Sequence, residues 1–221
     1  MTKYKLKRYN TLTAYNIEKT KKMNNFTYLN KTVCQKGQAI IVGDSITELF
    51  NMELFDSWRF ENDKIVYNRG ISGDTSNRLL ERFEDNVLYL NPSIVVLLIG
   101  INDLSAGATP EYIAENVDKI LNKIHIQPYE TKVILQAVYP VNTAMNLNLK
   151  RKKIDYKIIS QLNALLKDKA KKYGAYFIDL TDILSDENRM LKKEFTYDGL
   201  HPNAQGFAAV SDHLMPIMNN N

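Results

Sequence analysis

Cysteine is all but missing from this sequence: Cys34 stands alone among 221 residues. No intramolecular disulfide can form, so stability must come from packing, and a reducing, cytoplasmic compartment fits best. Long apolar runs are missing too. The longest, such as Ile94–Ile99, fall far short of the ~20 residues that a membrane span needs. The charged start Met1-Thr2-Lys3-Tyr4-Lys5-Leu6-Lys7-Arg8 is followed by no apolar core of roughly 7–15 residues, so no secretory signal is expected. Internal repeats and low-complexity linkers are absent, and the asparagines at 219–221 read as a frayed end. Histidine occurs three times, which leaves few candidates for imidazole chemistry.

What is present describes an ordinary globular chain. It is 44% apolar and 24% charged, which excludes a disordered, collagen-like or disulfide-scaffold protein. The net charge of +4 is unevenly placed. Residues 1–38 carry nine Lys/Arg against one acid, Glu18, while the rest carries 20 Lys/Arg against 24 Asp/Glu. The basic character therefore belongs to an N-terminal arm, 1–38, and not to the body, 39–218. No nucleic-acid partner is expected, because the body lacks a basic face with aromatic or motif support. The arm reads as a solvated or homodimer-contacting segment, with contact to an anionic surface as the lesser alternative.

From residue 39 the hydrophobic pattern becomes regular. Five short apolar runs follow one another: Ala39–Gly43, Lys64–Asn68, Ile94–Gly100, Lys132–Val138 and Ala175–Asp179. They are continuous and β-branched, as strands buried on both faces are. Helical spacing fills the gaps. Thr75–Asn86 carries Leu79, Leu80 and Phe83, and Pro110–Ile126 carries Ile113, Val117, Ile120, Leu121 and Ile124. Lys150–Tyr173 reads as one long helix with Ile154, Ile158, Leu162, Leu165 and Leu166 inward, ended by Gly174, and Pro202–Met218 closes the chain. Alternating strand and helix predict a three-layer α/β/α sandwich around a five-stranded parallel sheet. In such sheets the active groups lie beyond the carboxyl ends of the strands, at a switch in strand order.

Those ends carry chemistry-bearing residues. After the first strand stands Gly43-Asp44-Ser45-Ile46, where Ser45 opens the next helix as a nucleophile or merely as part of a cap. After the second, Asn68–Thr75 contains Gly70 and Gly73, a tight turn whose Gly73 N–H could face an oxyanion. It lacks the Gly-Lys-Ser/Thr ending of a phosphate loop. After the third, Gly100-Ile101-Asn102-Asp103 offers a neutral amide donor in Asn102, or a turn. His125 ends a helix, and His213 lies within one beside Asp212 alone. His201 differs: it stands in Asp198-Gly199-Leu200-His201-Pro202, with Asp198 able to fold back across Gly199 onto the imidazole. With strands in the order 2-1-3-4-5, Ser45 and Asn102 come side by side, and the set becomes a serine-hydrolase constellation.

These residues resemble the SGNH hydrolases, also called GDSL-type lipases and acylhydrolases, over roughly residues 39–215. Gly43–Ile46, Gly73 within its loop, Gly100–Asp103 and Asp198–His201 match the family's four blocks in order and separation. The text around Gly73 is most similar to the branch of platelet-activating-factor acetylhydrolase catalytic subunits and lysophospholipase-like esterases. The resemblance implies a flavodoxin-like fold, Ser45 as nucleophile, His201 as general base and acid, and Asp198 as its orienter. It implies an oxyanion hole from the N–H groups of Ser45 and Gly73 and the Asn102 amide, with no metal or organic cofactor. Asp44 is expected to be structural. The basic arm lies outside the motif-bearing domain.

The expected activity is an esterase that cleaves a short-chain, acetyl, ester of a small molecule such as a sugar or lipid. An O-acyltransferase to a sugar hydroxyl or a non-catalytic binding protein on the same fold stands as the alternative. The loop Tyr139–Leu149 could wall an acyl pocket or cover the sheet, and Lys150-Arg151-Lys152-Lys153 could attract an anionic substrate or be solvated.

Overall fold

The structure, a computed structural model, describes residues 3–56, 65–151 and 153–220, with side chains described over 16–54, 65–149 and 153–220. The strands are β1 Ala39–Gly43, β2 Val66–Gly70, β3 Ile94–Leu98, β4 Lys132–Gln136 and β5 Tyr176–Ile178. The helices are α1 Lys3–Thr32, α2 Ser45–Glu48, α3 Glu53–Asp56, α4 Ser76–Asn86, α5 Ile101–Ala106, α6 Pro110–His125, α7 Leu147–Arg151, α8 Tyr156–Lys172, α9 Thr181–Leu184 and α10 Ala204–Asn219.

All five strands pair in parallel in the order β2-β1-β3-β4-β5. Every residue of β1 and β3 is buried, which requires cover on both faces of the sheet. One cover is the contiguous row α1, α4, α6 and α8; α10, with α3 and α9, forms a separate group. This is the α/β/α sandwich and strand order expected from the sequence. The order in which strands are added reverses at β1, with β2 on one side and β3 on the other, and this switch point brings the carboxyl ends of β1, β2 and β3 together.

Several boundaries differ from the sequence reading. β2 lies two residues further on, through Arg69 and Gly70, in register with Val42 and Gly43. Polar Asn68 and Arg69 disguised it; Lys64 lies outside the described residues. The long helix expected over 150–173 is two helices. Lys153 adopts φ +56°, and Asp155 then caps α8 by accepting the N–H groups of Lys157 and Ile158. Ile159 consequently takes the fully buried place expected of Ile158. The last helix starts at Ala204, because Asn203 is its cap, accepting the N–H of Gly206, while Pro202 pairs with Thr196 in a short bridge.

The N-terminal segment, which the sequence reads as a solvated or homodimer-contacting arm, is joined to the body between Asn16 and Cys34. Asn30 donates to the Asp85 carbonyl, and Asn86 donates to the Met23 carbonyl and the Thr27 hydroxyl. Arg69 reaches from β2 to Asn30 Oδ1 and Cys34 Sγ, its guanidinium lying against the rings of Phe26 and Tyr67. Among the described residues no helix is long and apolar enough to cross a membrane.

Candidate active site

Ser45 is the first residue of α2, immediately beyond β1. Asp44 caps that turn, its Oδ1 accepting the Ile46 N–H at 3.0 Å. The Ser45 hydroxyl is therefore held at the sheet's rim with little freedom, and the residue is 8% exposed. Its Oγ lies 2.9 Å from His201 Nε2. On the far side of the ring, His201 Nδ1 lies 2.6 Å from Asp198 Oδ2. A carboxylate can only accept, so the Nδ1 proton faces Asp198 and Nε2 of the neutral ring is left to accept the Ser45 hydroxyl proton. The three residues named from the sequence thus meet, although 156 positions separate Ser45 from His201.

The loop carrying Asp198 and His201 is built to present them. Asp198 Oδ1 accepts the N–H groups of Leu200 and His201, at 2.9 and 2.8 Å. Partial burial would raise the Asp198 carboxyl; the hydrogen bonds from the His201 N–H, its ring and Leu200 outweigh this and hold it below the usual carboxylate range. Gly199 adopts φ +77°, and a Cβ there would come 2.5 Å from the Asn142 carbonyl. The Thr196 hydroxyl donates to the His201 carbonyl and accepts the Gly199 N–H. Asn142 N–H donates to the Gly199 carbonyl and Asn146 to that of Asp198. The 139–149 loop therefore braces the histidine loop, a role the sequence reading did not consider. Of Lys150–Lys153, the side chains of the first three lie outside those described.

On the opposite side of Ser45 the acids Asp44, Asp74 and Asp103 are buried, and Asn102 and Gly73 are partly so. The Asn102 amide donates to the Asp74 carbonyl at 3.0 Å and lies 3.3 Å from Asp44 Oδ2. Asn102 is thus linked to the residue before Ser45 and to the residue after Gly73, which places all three expected oxyanion donors at one locus. Gly73 adopts φ +70°, and among the described residues the N–H groups of Ser45 and Gly73 enter no hydrogen bond. Burial pushes the Asp44 carboxyl up to about 7; the Ile46 N–H opposes this, and the neighbouring Asp74 and Asp103 add to it.

Beneath them lies a network that the motifs did not reveal. Arg82 Nε binds Asp74 Oδ2 at 2.7 Å, and its Nη2 donates to the carbonyls of Gly43 and Arg69. One guanidinium so ties the ends of β1 and β2 to the Gly73 loop. Asp103 accepts the N–H and hydroxyl of Ser76, and Asn116 donates to that hydroxyl. A signal for Arg82 did exist: 79, 82, 83 and 86 form one stripe of α4, and all four residues are buried. His125 and His213, by contrast, stay away from the site, one packed on Tyr173 and the other bonded to the Ala209 carbonyl.

A groove of about 540 Å³ opens beside the imidazole. It is lined by Leu49, Phe50, Met52, Ala204 and Phe207 together with His201.

A model of the GDSL-like Lipase/Acylhydrolase family matches residues 41–209, more than half of the chain. The chain is 30% identical over 181 residues to the N-acylneuraminate cytidylyltransferase of Escherichia coli O18:K1:H7, covering 79% of this chain and 41% of that protein. It is 28% identical over 129 residues to platelet-activating factor acetylhydrolase IB subunit alpha2 of Gallus gallus, covering 57% of this chain and 55% of that one. Both alignments thus span less than two thirds of the relative's length. A solved structure from Streptococcus pneumonia, assigned provisionally as a platelet activating factor, superposes with a TM-score of 0.86 at 26% identity, covering 96% of this chain and 98% of that one.

Proposed function

We propose that this chain, which belongs to the GDSL-like lipase/acylhydrolase family and is accordingly a hydrolase, is a serine esterase that releases short acyl groups, acetyl foremost, through an acyl-enzyme on Ser45. The observation that carries this reading is the unbroken line from the Ser45 hydroxyl to His201 at 2.9 Å and on to Asp198 at 2.6 Å.

In this reading His201 Nε2 takes the hydroxyl proton as Ser45 Oγ attacks the ester carbonyl carbon. The carbonyl oxygen becomes an oxyanion, met by the N–H groups of Ser45 and Gly73 and by the Asn102 amide, which exchanges its longer hydrogen bond, to Asp44 Oδ2, for the oxyanion. The imidazolium is stabilised by Asp198, which keeps its own charge because its pKa is depressed. As the tetrahedral intermediate collapses, the C–O bond to the alcohol breaks and His201 returns its proton to that alcohol. Water then repeats the sequence on the acyl-enzyme and restores Ser45.

The group that receives its proton from His201 lies on the imidazole's side. The apolar groove there suits the alcohol portion of the substrate, an alkyl or aryl group in place of a charged one. The preference for acetyl is supported by the likeness to the Gallus gallus acetylhydrolase subunit. A cytoplasmic setting is supported by the single, free Cys34. The test is a panel of p-nitrophenyl esters of increasing acyl length, with acetylated sugars and lysophospholipid included. Turnover highest on acetate and falling with chain length is expected; equal or greater turnover on long chains would overturn the acetyl preference.

A further inference from the structure

We infer that α1 is a clamp on the oxyanion loop: Lys19 and Lys22 are positioning residues that fix the Gly73 peptide from its two sides. The inference rests on the esterase reading and assigns work to a helix outside the family match, which begins at residue 41.

The two lysines are three residues apart, so both ammonium groups leave one face of α1. Lys19 Nζ lies 3.4 Å from Asp74 Oδ1, with the side chains 8% and 3% exposed. Lys22 pairs with Glu48 Oε1, and the other oxygen of Glu48 accepts the N–H of Ser72. Residues 72 and 74 are therefore each tied to α1, with Gly73 between them. Each tie has a second anchor in the body. Asp74 is also held by Arg82, and Glu48 belongs to the helical turn that Ser45 opens. The Asp74 carbonyl in turn holds the Asn102 amide. Displacing Asp74 would move two of the three oxyanion donors together.

Burying an ammonium is costly, and docking a helix does not require it; apolar side chains would serve α1 as well. Burial indeed lowers the Lys19 pKa, against the pull of Asp74. Glu48 lies below the usual carboxylate range, because Lys22 and Ser72 together outweigh its partial burial. Each acid is met by an α1 lysine, Asp74 by Lys19 in addition to Arg82 and Glu48 by Lys22, and both contacts flank the one glycine whose N–H the reaction needs in place.

The experiment uses the full chain and p-nitrophenyl acetate. It measures kcat, KM and Tm for Lys19→Met, Lys22→Met, their double variant, Lys22→Arg and, as control, Lys21→Met. The Lys21 ammonium pairs with Glu18 on α1's own exposed surface. Removing an oxyanion donor outright costs about 10²–10³ in turnover, so loosening the peptide that carries one should cost roughly tenfold in kcat with KM within about twofold. Lys22→Arg should recover most of the loss, and Lys21→Met should match the wild type. The double variant should lose less than the product of the single losses, since both lysines act on one peptide. Should Lys19→Met fail to fold, the half-exposed Lys22 decides the question. An unchanged kcat in folded Lys22→Met, a loss shared by Lys21→Met, or a loss that follows Tm and resists Lys22→Arg overturns the clamp. If Ser45→Ala is inactive while the lysine variants are normal, the clamp alone falls. If the wild type ignores every ester or Ser45→Ala remains active, the esterase reading falls and the clamp with it.

Discussion

The two sides of Ser45 are built differently. Towards the C-terminal loop stand His201 and Asp198, with side chains 28% and 49% exposed. Towards the sheet stand Asp44, Asp74, Arg82 and Asp103, each 2% exposed or less. In the proposed reaction the open side holds the groups that exchange protons and meet substrate. The buried side holds groups that keep one arrangement, with nearly every oxygen committed to a protein donor. The contrast separates the proposed reacting groups from positioning groups, and two of the arm's lysines, Lys19 and Lys22, complement acids of the body across an intramolecular contact.

Substitutions on the two sides should therefore fail in different ways. Ser45→Ala should lower ester hydrolysis by roughly 10⁴-fold or more with Tm unchanged, as read by steady-state kinetics and thermal melts. Arg82→Met should act first on the fold. It leaves a buried carboxylate short of a cation and should cost about 3–5 kcal/mol in urea unfolding; a loss under 1 kcal/mol would mean that Lys19 suffices for Asp74. Asn102→Ala should lower kcat by about 10²–10³, or ~2.7–4 kcal/mol, with little effect on KM if the amide serves an oxyanion. A loss of a few-fold would leave Asn102 as a support for Asp74 only.

The smallest effects sharpen the contrast through pH. Asp44 is raised from 3.8 to about 7 by burial. The folded state holds its proton longer than the unfolded one, so the Asp44 contribution to stability declines as pH rises from about 4 to 7. Asp198 is lowered, so its contribution is present above the unfolded value near 3.8 and is lost as pH falls through the folded one. Urea unfolding of Asp44→Asn and Asp198→Asn across pH should give difference curves of opposite slope. Slopes of the same sign would contradict the assignment of one carboxyl to a buried neutral site and the other to a hydrogen-bonded anionic one.

Much of this was legible beforehand. Five continuous β-branched runs specify a parallel sheet, and a serine, a glycine, an asparagine and an Asp-x-x-His pair at its ends name the site. Local patterning reveals what chain-adjacent residues do. It did not reveal Lys19 or Asn142, because their partners are 55 and 49–57 positions away, at Asp74, Leu191 and Gly199. A polar residue bound for a distant buried acceptor looks locally like a surface residue. Arg82 alone betrayed itself, by standing on the apolar stripe of α4. The break at Lys153 was missed for a related reason: helical spacing continues on both sides of it, and only the Asp155 cap marks the restart.

The central claim is that Ser45 is the nucleophile and His201 its base. Peptide mass mapping after exposure to a fluorophosphonate probe tests it most directly, in wild type and in His201→Ala. A single phosphonyl adduct on the Ser45 peptide, strongly reduced without the imidazole, is the expected result. An adduct on another residue, or undiminished labelling of Ser45 in His201→Ala, would contradict it.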